Sequence, residues 1–241
     1  MLDRLTPITK HLILINVVVF VALLIIPNAR TIDENYFVLN KSNALGFRDV
    51  GIYEGEEYLL TEVEGRNLAV TPIDAFKPVQ IVTSFFNHSK RSGPRGNERI
   101  EIFHILFNML VLGMFGPVCE SVLGSKRFLN FYLFCGVVAS LLLTFLDPSP
   151  IPVLGASTAV SGVLVAFAMT FPNQKMGLMF LPIYFKSRDF VLGIAGISAL
   201  LVILQVFGIN IGGGISHFGH LAGMVAGYLF FKIEKYLPLP K

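Results

Sequence analysis

The chain has 241 residues, of which 54% are hydrophobic and only 15% charged, with a formal net charge of +3. A soluble domain carries about 25% charged residues, so this deficit, with a mean hydropathy of +0.67 and long apolar runs, points to a polytopic membrane protein. The small net charge leaves no electrostatic footprint for nucleic acid, so the basic residues matter through their placement.

Six apolar spans are predicted, at about 11–27, 102–119, 127–146, 152–172, 188–209 and 214–233. Each approaches the roughly 20 residues a helix needs to cross the hydrocarbon. The first follows a short N-terminus (1–10) holding Arg4 and Lys10. A cleaved signal peptide is the competing reading, but no A-x-A site follows, and an uncleaved first span is favoured. Residues 28–100 form a long polar stretch that reads as an extended outer loop of mixed strand and coil. Within it the more apolar 76–88 reads as a short membrane-surface helix, and 89–99, SKRSGPRGNER, as a flexible loop. The five later spans make a bundle over 101–233, followed by a tail at 234–241.

The connections at 146–152 and 208–215 carry no Lys or Arg. The opposite side holds Arg4, Lys10, Lys126, Arg127, Lys175, Lys186, Arg188, Lys232, Lys235 and Lys241. By the positive-inside rule both termini are cytoplasmic. The 28–100 segment has nine basic and ten acidic residues, and loops of that length translocate largely regardless of charge.

Polar residues inside lipid-spanning helices are costly and default to functional candidates. Spans two, four and six all enter from the outer side. His104, Ser157 and His220 lie three to six residues into them, roughly 4 to 9 Å below the outer boundary. A serine, a histidine and extra hydrogen-bond donors at one depth suffice for nucleophilic hydrolysis. His104 and Asn108 are four apart and share a helix face; they serve either as oxyanion donors or as polar contacts between helices. Ser157 follows Gly155, with Pro150 and Pro152 upstream, which reads as a loop entering a helix near free backbone N–H groups. A packing serine is the bland alternative, and Thr158 and Ser161 are weaker candidate nucleophiles. The small-xxx-small pair Gly223/Gly227 allows a close helix neighbour, which brings His220 near span four. The pair His217/His220 could instead bind a metal, although no carboxylate is well placed beside it. Cys119 and Cys135 read as buried core thiols, Glu120 as a cytoplasmic-face anchor and Asp147 as a solvated residue at the outer end of span three. A transporter would need internal repeats or paired broken helices, and the sequence has none.

At these residues the chain resembles the rhomboid intramembrane serine proteases. Phe76-Lys77-Pro78-Val79-Gln80 resembles the family's F-[RK]-P-x-Q entry, and Ser84 to His88 the apolar-then-His segment that follows. His104-x-x-x-Asn108-Met109 matches H-x-x-x-N-M. Glu120 with Gly124-Ser125-Lys126-Arg127-Phe128 resembles the E-x-x-x-G-s-x-r-F stretch. Ala166-Phe167 with Phe171-Pro172-Asn173 follows the serine as in many bacterial members, and Pro182 and Lys186 before span five fit a bacterial subgroup. His220-x-x-Gly223-x-x-x-Gly227 matches the last-helix pattern.

The resemblance implies an all-α, six-helix bundle and a Ser–His dyad. Ser157 is the nucleophile and His220 the base, the glycine spacing selecting it over His217. Asn108, His104 and the Ser157 N–H form the oxyanion hole. It implies transmembrane protein substrates that enter beside span five, a wet cavity at the outer end of the bundle, no cofactor, no metal, and a bacterial cytoplasmic membrane. Two positions depart from the pattern. Thr158 stands where the family usually has glycine, and is expected to hold span four away from span six. Ser161 stands where an aromatic usually packs on the dyad histidine. Both favour an alternative, a weak or inactive member that binds or remodels transmembrane clients.

Overall fold

A computed structural model describes residues 5–26, 36–37, 39, 49–53, 56–63, 66–72, 77–88, 91–92, 99–100, 102–147, 153–177, 184–209 and 215–236. Several residues behind the expectations above, among them Arg4, Phe76, Pro150, Pro152, Pro182 and Lys241, lie outside this set. Among the described residues stand six helices of fourteen residues or more: α1 (Pro7–Ile25), α2 (Ile102–Leu123), α3 (Ser125–Leu146), α4 (Ser157–Thr170), α5 (Ser187–Val206) and α6 (His217–Tyr236). The strands are β1 (Asp49–Tyr53), β2 (Glu56–Val63), β3 (Arg66–Pro72), β4 (Arg91–Ser92), β5 (Arg99–Ile100), β6 (Lys175–Gly177) and β7 (Tyr184–Lys186).

Four helices, α1, α2, α3 and α5, are long and apolar enough to cross a membrane. Their outward faces carry Ile25, Phe103, Leu192 and Val206, all exposed. Apolar side chains so displayed suit lipid rather than water. Inside, Phe128, Phe131, Tyr132, Leu112 and Val163 are fully buried in one core. Polar side chains within the helices bond to their own turn, as Asn16 Nδ2 does to Leu12 O at 2.7 Å and Thr144 Oγ1 to Ser140 O at 2.8 Å. Such back-bonding satisfies a donor that lipid cannot. The protein is a helical, multi-pass membrane protein.

Three sequence expectations shift. The fourth helix begins at Ser157, not near 152, because Val153 pairs with Leu39 in a β-bridge and Gly155 takes φ +113°. Asp147 is buried, 2% exposed, at the end of α3 rather than solvated. Glu120 is not a surface anchor. It is 2% exposed and turned inward onto the start of α1. Its carboxylate accepts from Ile8 N (3.0 Å), Thr9 N (2.8 Å), Thr9 Oγ1 (3.0 Å), Ser125 Oγ (2.6 Å) and Thr6 Oγ1. The first turn of any helix leaves N–H groups without intrahelical acceptors, and an anion there also meets the positive end of the helix dipole. This cap explains why α1 starts at Pro7, earlier than hydropathy alone suggests. Gly116 makes room for it, since a Cβ there would come within 2.9 Å of Thr9.

Between α1 and α2, β1, β2 and β3 form an antiparallel meander. Within the expected flexible loop at 89–99, the described residues form strand pairs, β4 and β5 pairing through Arg91–Ile100 and Ser92–Arg99. The expected short helix exists, as one α-turn at Gln80–Thr83 and a 3-10 turn at Ser84–Phe86. Val79 and Val82 face outward, whereas Gln80, Phe85, Asn87 and His88 are buried. Phe85 fills the space beside Gly136 of α3, where a Cβ would approach its ring to 2.8 Å. Cys119 and Cys135 are buried free thiols, as expected.

Candidate active site

Ser157 is the first residue of α4 and is half-buried. A 14-residue helix is about 21 Å long, about 9 Å short of the hydrocarbon thickness. Residues 153–156 lead into Ser157 as non-helical backbone, and buried backbone of that kind is tolerated only when protein satisfies its polar groups. Here it does. Val153 exchanges both backbone bonds with Leu39 (2.8 and 3.1 Å), Gly155 N donates to Ser84 O (2.9 Å), and Ala156 N donates to His88 Nε2 (3.1 Å). The first helical bond runs from Val160 N to Ala156 O at 2.9 Å. The opening turn of α4 thus presents the N–H groups of Ser157 and its successors without intrahelical acceptors.

His104 lies in the first turn of α2, with its ring against Gly155. A Cβ on Gly155 would stand 2.5 Å from His104 Cε1 and 2.6 Å from Nε2. Only glycine combines that φ with that contact. The imidazole thus abuts the chain two residues before Ser157. Asn108, one turn on, is buried and donates through Nδ2 to His104 O at 2.8 Å. An amide has two N–H donors, and this bond uses one, fixing the side chain on the His104 face.

α4 and α6 pack with their backbones nearly touching. A Cβ on Gly223 would fall 1.9 Å from Thr158 O, and one on Gly227 would fall 2.9 Å from Gly162 Cα. The pairs 158/223 and 162/227 advance together, so the two helices run parallel. His220 is three residues before Gly223 on the same face, which sets it level with the start of α4. It lies within electrostatic reach of His104 and His217, and the rings of His217 and His220 are 6.3 Å apart.

The expectation that Thr158 separates these helices is overturned. The backbone carbonyl of Thr158, not its side chain, meets Gly223, while its methyl turns toward Gly219, where a Cβ would stand 3.2 Å from it. Glycine on α6 supplies the room that glycine at 158 would otherwise supply. Thr158 is 3% exposed, so Thr158→Gly should cost about 1 kcal/mol of stability through lost packing and glycine's helix penalty. It should leave turnover unraised, measurable by unfolding and by covalent labelling of the same sample.

Residues 99–235 match the Rhomboid domain. The chain belongs to the rhomboid family. It is 32% identical over 134 residues to the rhomboid protease GluP of Bacillus subtilis, covering 54% of this chain and 23% of that one. It is 31% identical over 130 residues to the mitochondrial presenilin-associated rhomboid-like protein A of Danio rerio (52% and 32%). It is also 31% identical over 114 residues to the mitochondrial rhomboid protein 1 of Saccharomyces cerevisiae (44% and 29%). The chain spans about a quarter to a third of the length of these relatives.

Within this rhomboid the structure brings His104 to the Gly155 turn and α6 to the start of α4. Ser161 is buried within α4, 6% exposed. Gly162, on the same helix, faces Cys135 of α3, whose Sγ a Cβ would approach to 2.5 Å. Sequence reasoning gave His88 no part in the site. It is fully buried, its ring centroid lies 5.0 Å from that of His104, and burial, with His104 adding to the effect, holds its pKa down at about 3. The signal was the resemblance of 84–88 to a family segment, which carries no role by itself. Among the described residues no three His, Cys, Asp or Glu side chains converge as a metal set.

Proposed function

We propose that the protein is an intramembrane serine endopeptidase that cuts transmembrane helices near the outer membrane face. Ser157 Oγ attacks the scissile carbonyl while His220 takes its proton. His220 then protonates the leaving amine, and the acyl-enzyme is hydrolysed by a water that His220 activates. Asn108, His104 and the Ser157 N–H stabilise the oxyanion. The observation that carries this reading is the seating of Gly223 on the Thr158 carbonyl. It holds two parallel helix starts together, one beginning at the serine and the other bearing the histidine.

Under this reading all six helices cross a bacterial cytoplasmic membrane, both termini are cytoplasmic and the segment 28–100 lies outside. The Lys/Arg asymmetry of the loops supports that orientation, and the bacterial relative named as a protease supports the activity. Transmembrane protein substrates would enter beside α5. That helix buries only Ser187, Val191 and Ser198 among its described residues, so it is loosely held along most of its length. Substrates would unwind at small or Gly/Pro-containing stretches. A second reading, a weak or inactive member that binds clients, is favoured by Ser161, which offers His220 no aromatic platform.

The test is cleavage of a labelled transmembrane peptide in proteoliposomes by the parent, Ser157→Ala and His220→Ala. Cleavage by the parent alone supports the protease, whereas co-purification of a client with no cleavage supports the second reading. In the same assay Asn108→Ala should lower kcat about 100-fold with KM little changed, as for loss of one oxyanion donor. An unchanged kcat would remove Asn108 from the hole.

A further inference from the structure

We propose that His88 is a positioning residue for the nucleophile: its neutral imidazole, accepting the Ala156 N–H, fixes the turn that aims Ser157 and props the ring of His104. This rests on the protease reading of Ser157 and extends it to a residue outside the dyad and the oxyanion donors.

Four observations converge on it. His88 is 0% exposed. Its Nε2 accepts the backbone N–H of the residue immediately before Ser157, at 3.1 Å. Its ring lies 5.0 Å from that of His104, which in turn fills the space beside Gly155. The segment bearing it is itself anchored, by Phe85 against Gly136, by Asn87 Nδ2 donating to Phe37 O at 3.2 Å, and by Ser84 O accepting from Gly155 N at 2.9 Å. A backbone donor deep in a membrane protein must find an acceptor. With the N–H groups of Gly155 and Ala156 occupied by Ser84 and His88, the first main-chain donor left to a substrate is that of Ser157. The bond therefore selects which N–H enters the oxyanion hole as well as holding the turn. An acceptor at Nε2 requires the proton on Nδ1, which meets no hydrogen-bond partner among the described residues, so the bond from Ala156 alone sets the tautomer.

Two variants separate positioning from packing. His88→Phe keeps a ring of similar size and loses the acceptor. His88→Gln places a carbonyl oxygen at similar reach. With a fluorophosphonate probe on the purified full chain, His88→Phe should label Ser157 about tenfold more slowly or worse, as expected when a reacting group is misplaced. His88→Gln should stay within about threefold of the parent. His88→Phe labelling as fast as the parent would overturn the proposal, and so would His88→Gln labelling as slowly as His88→Phe. Nitrogen-15 histidine spectra of the parent test it without any variant. They should show His88 neutral with the proton on Nδ1 at pH 7, and a proton on Nε2 would overturn it whatever the variants do. A parent that takes no label at Ser157 removes the protease reading itself and this inference with it, an outcome distinct from a labelled parent indifferent to His88.

Discussion

Replacing Gly223 with alanine is expected to abolish activity and to lower stability by more than about 3 kcal/mol, the upper range for overpacking. The added carbon would lie 1.9 Å from the Thr158 carbonyl oxygen, which is backbone and cannot rotate aside. The α4 and α6 axes must then separate, and Ser157 and His220 ride on those two helices. A shift near 1 Å at a reacting centre costs about 100-fold in rate. Gly227→Ala meets Gly162 backbone at 2.9 Å and should follow in the same direction with a smaller effect. At Gly193 and Gly196 of α5 an added Cβ would have nothing within 4 Å. Alanine at either should be neutral or should stabilise by about 0.5 to 1 kcal/mol, through helix propensity. Unfolding in detergent, with activity read on the folded fraction, checks the order. Equal effects at 223 and 193 would contradict it.

The second large effect is expected at the other end of the bundle. Glu120→Ala removes the acceptor shared by Thr6, Ile8, Thr9 and Ser125. Buried donors left unsatisfied cost about 1 to 3 kcal/mol each, so the variant should lose about 3 kcal/mol or more. Glu120→Gln keeps one carbonyl acceptor and should lose about half as much. Residue 120 lies sixteen positions along α2 from His104, about 24 Å of helix. Activity per folded molecule should therefore be unchanged at low temperature, while the midpoint of thermal unfolding falls. A loss of turnover without a loss of stability would place Glu120 in the chemistry rather than in the cap.

The helices were legible because lipid leaves the chain few alternatives: long apolar runs must close their backbone bonds internally. Where polar groups carry the structure, hydropathy failed. It missed the first turn of α1, whose acceptor comes from Glu120, far away in sequence. It started α4 five residues too early, because Val153 is apolar yet pairs with Leu39, and nothing local announces a pairing so distant. The glycine spacing on α6 correctly indicated a close neighbour, but not that the contact would reach the Thr158 carbonyl and leave the threonine side chain room beside Gly219. Asp147 reads as solvated by type and is buried in fact. His104 and Asn108 share a face by spacing, as expected. The contact of His104 with the turn before Ser157 is made at Gly155, whose φ of +113° is a property of the folded turn. His88 was the least legible, since its partner is a backbone N–H and leaves no mark on composition or period.

The central claim is that Ser157 is a nucleophile activated by His220. Its most direct measurement is peptide mapping by mass spectrometry after fluorophosphonate treatment of the parent and of His220→Ala. The account predicts a single adduct, on Ser157 in the parent and absent from the variant. An adduct on Thr158 or Ser161, an adduct on Ser157 that survives loss of His220, or a parent that takes no label would contradict it.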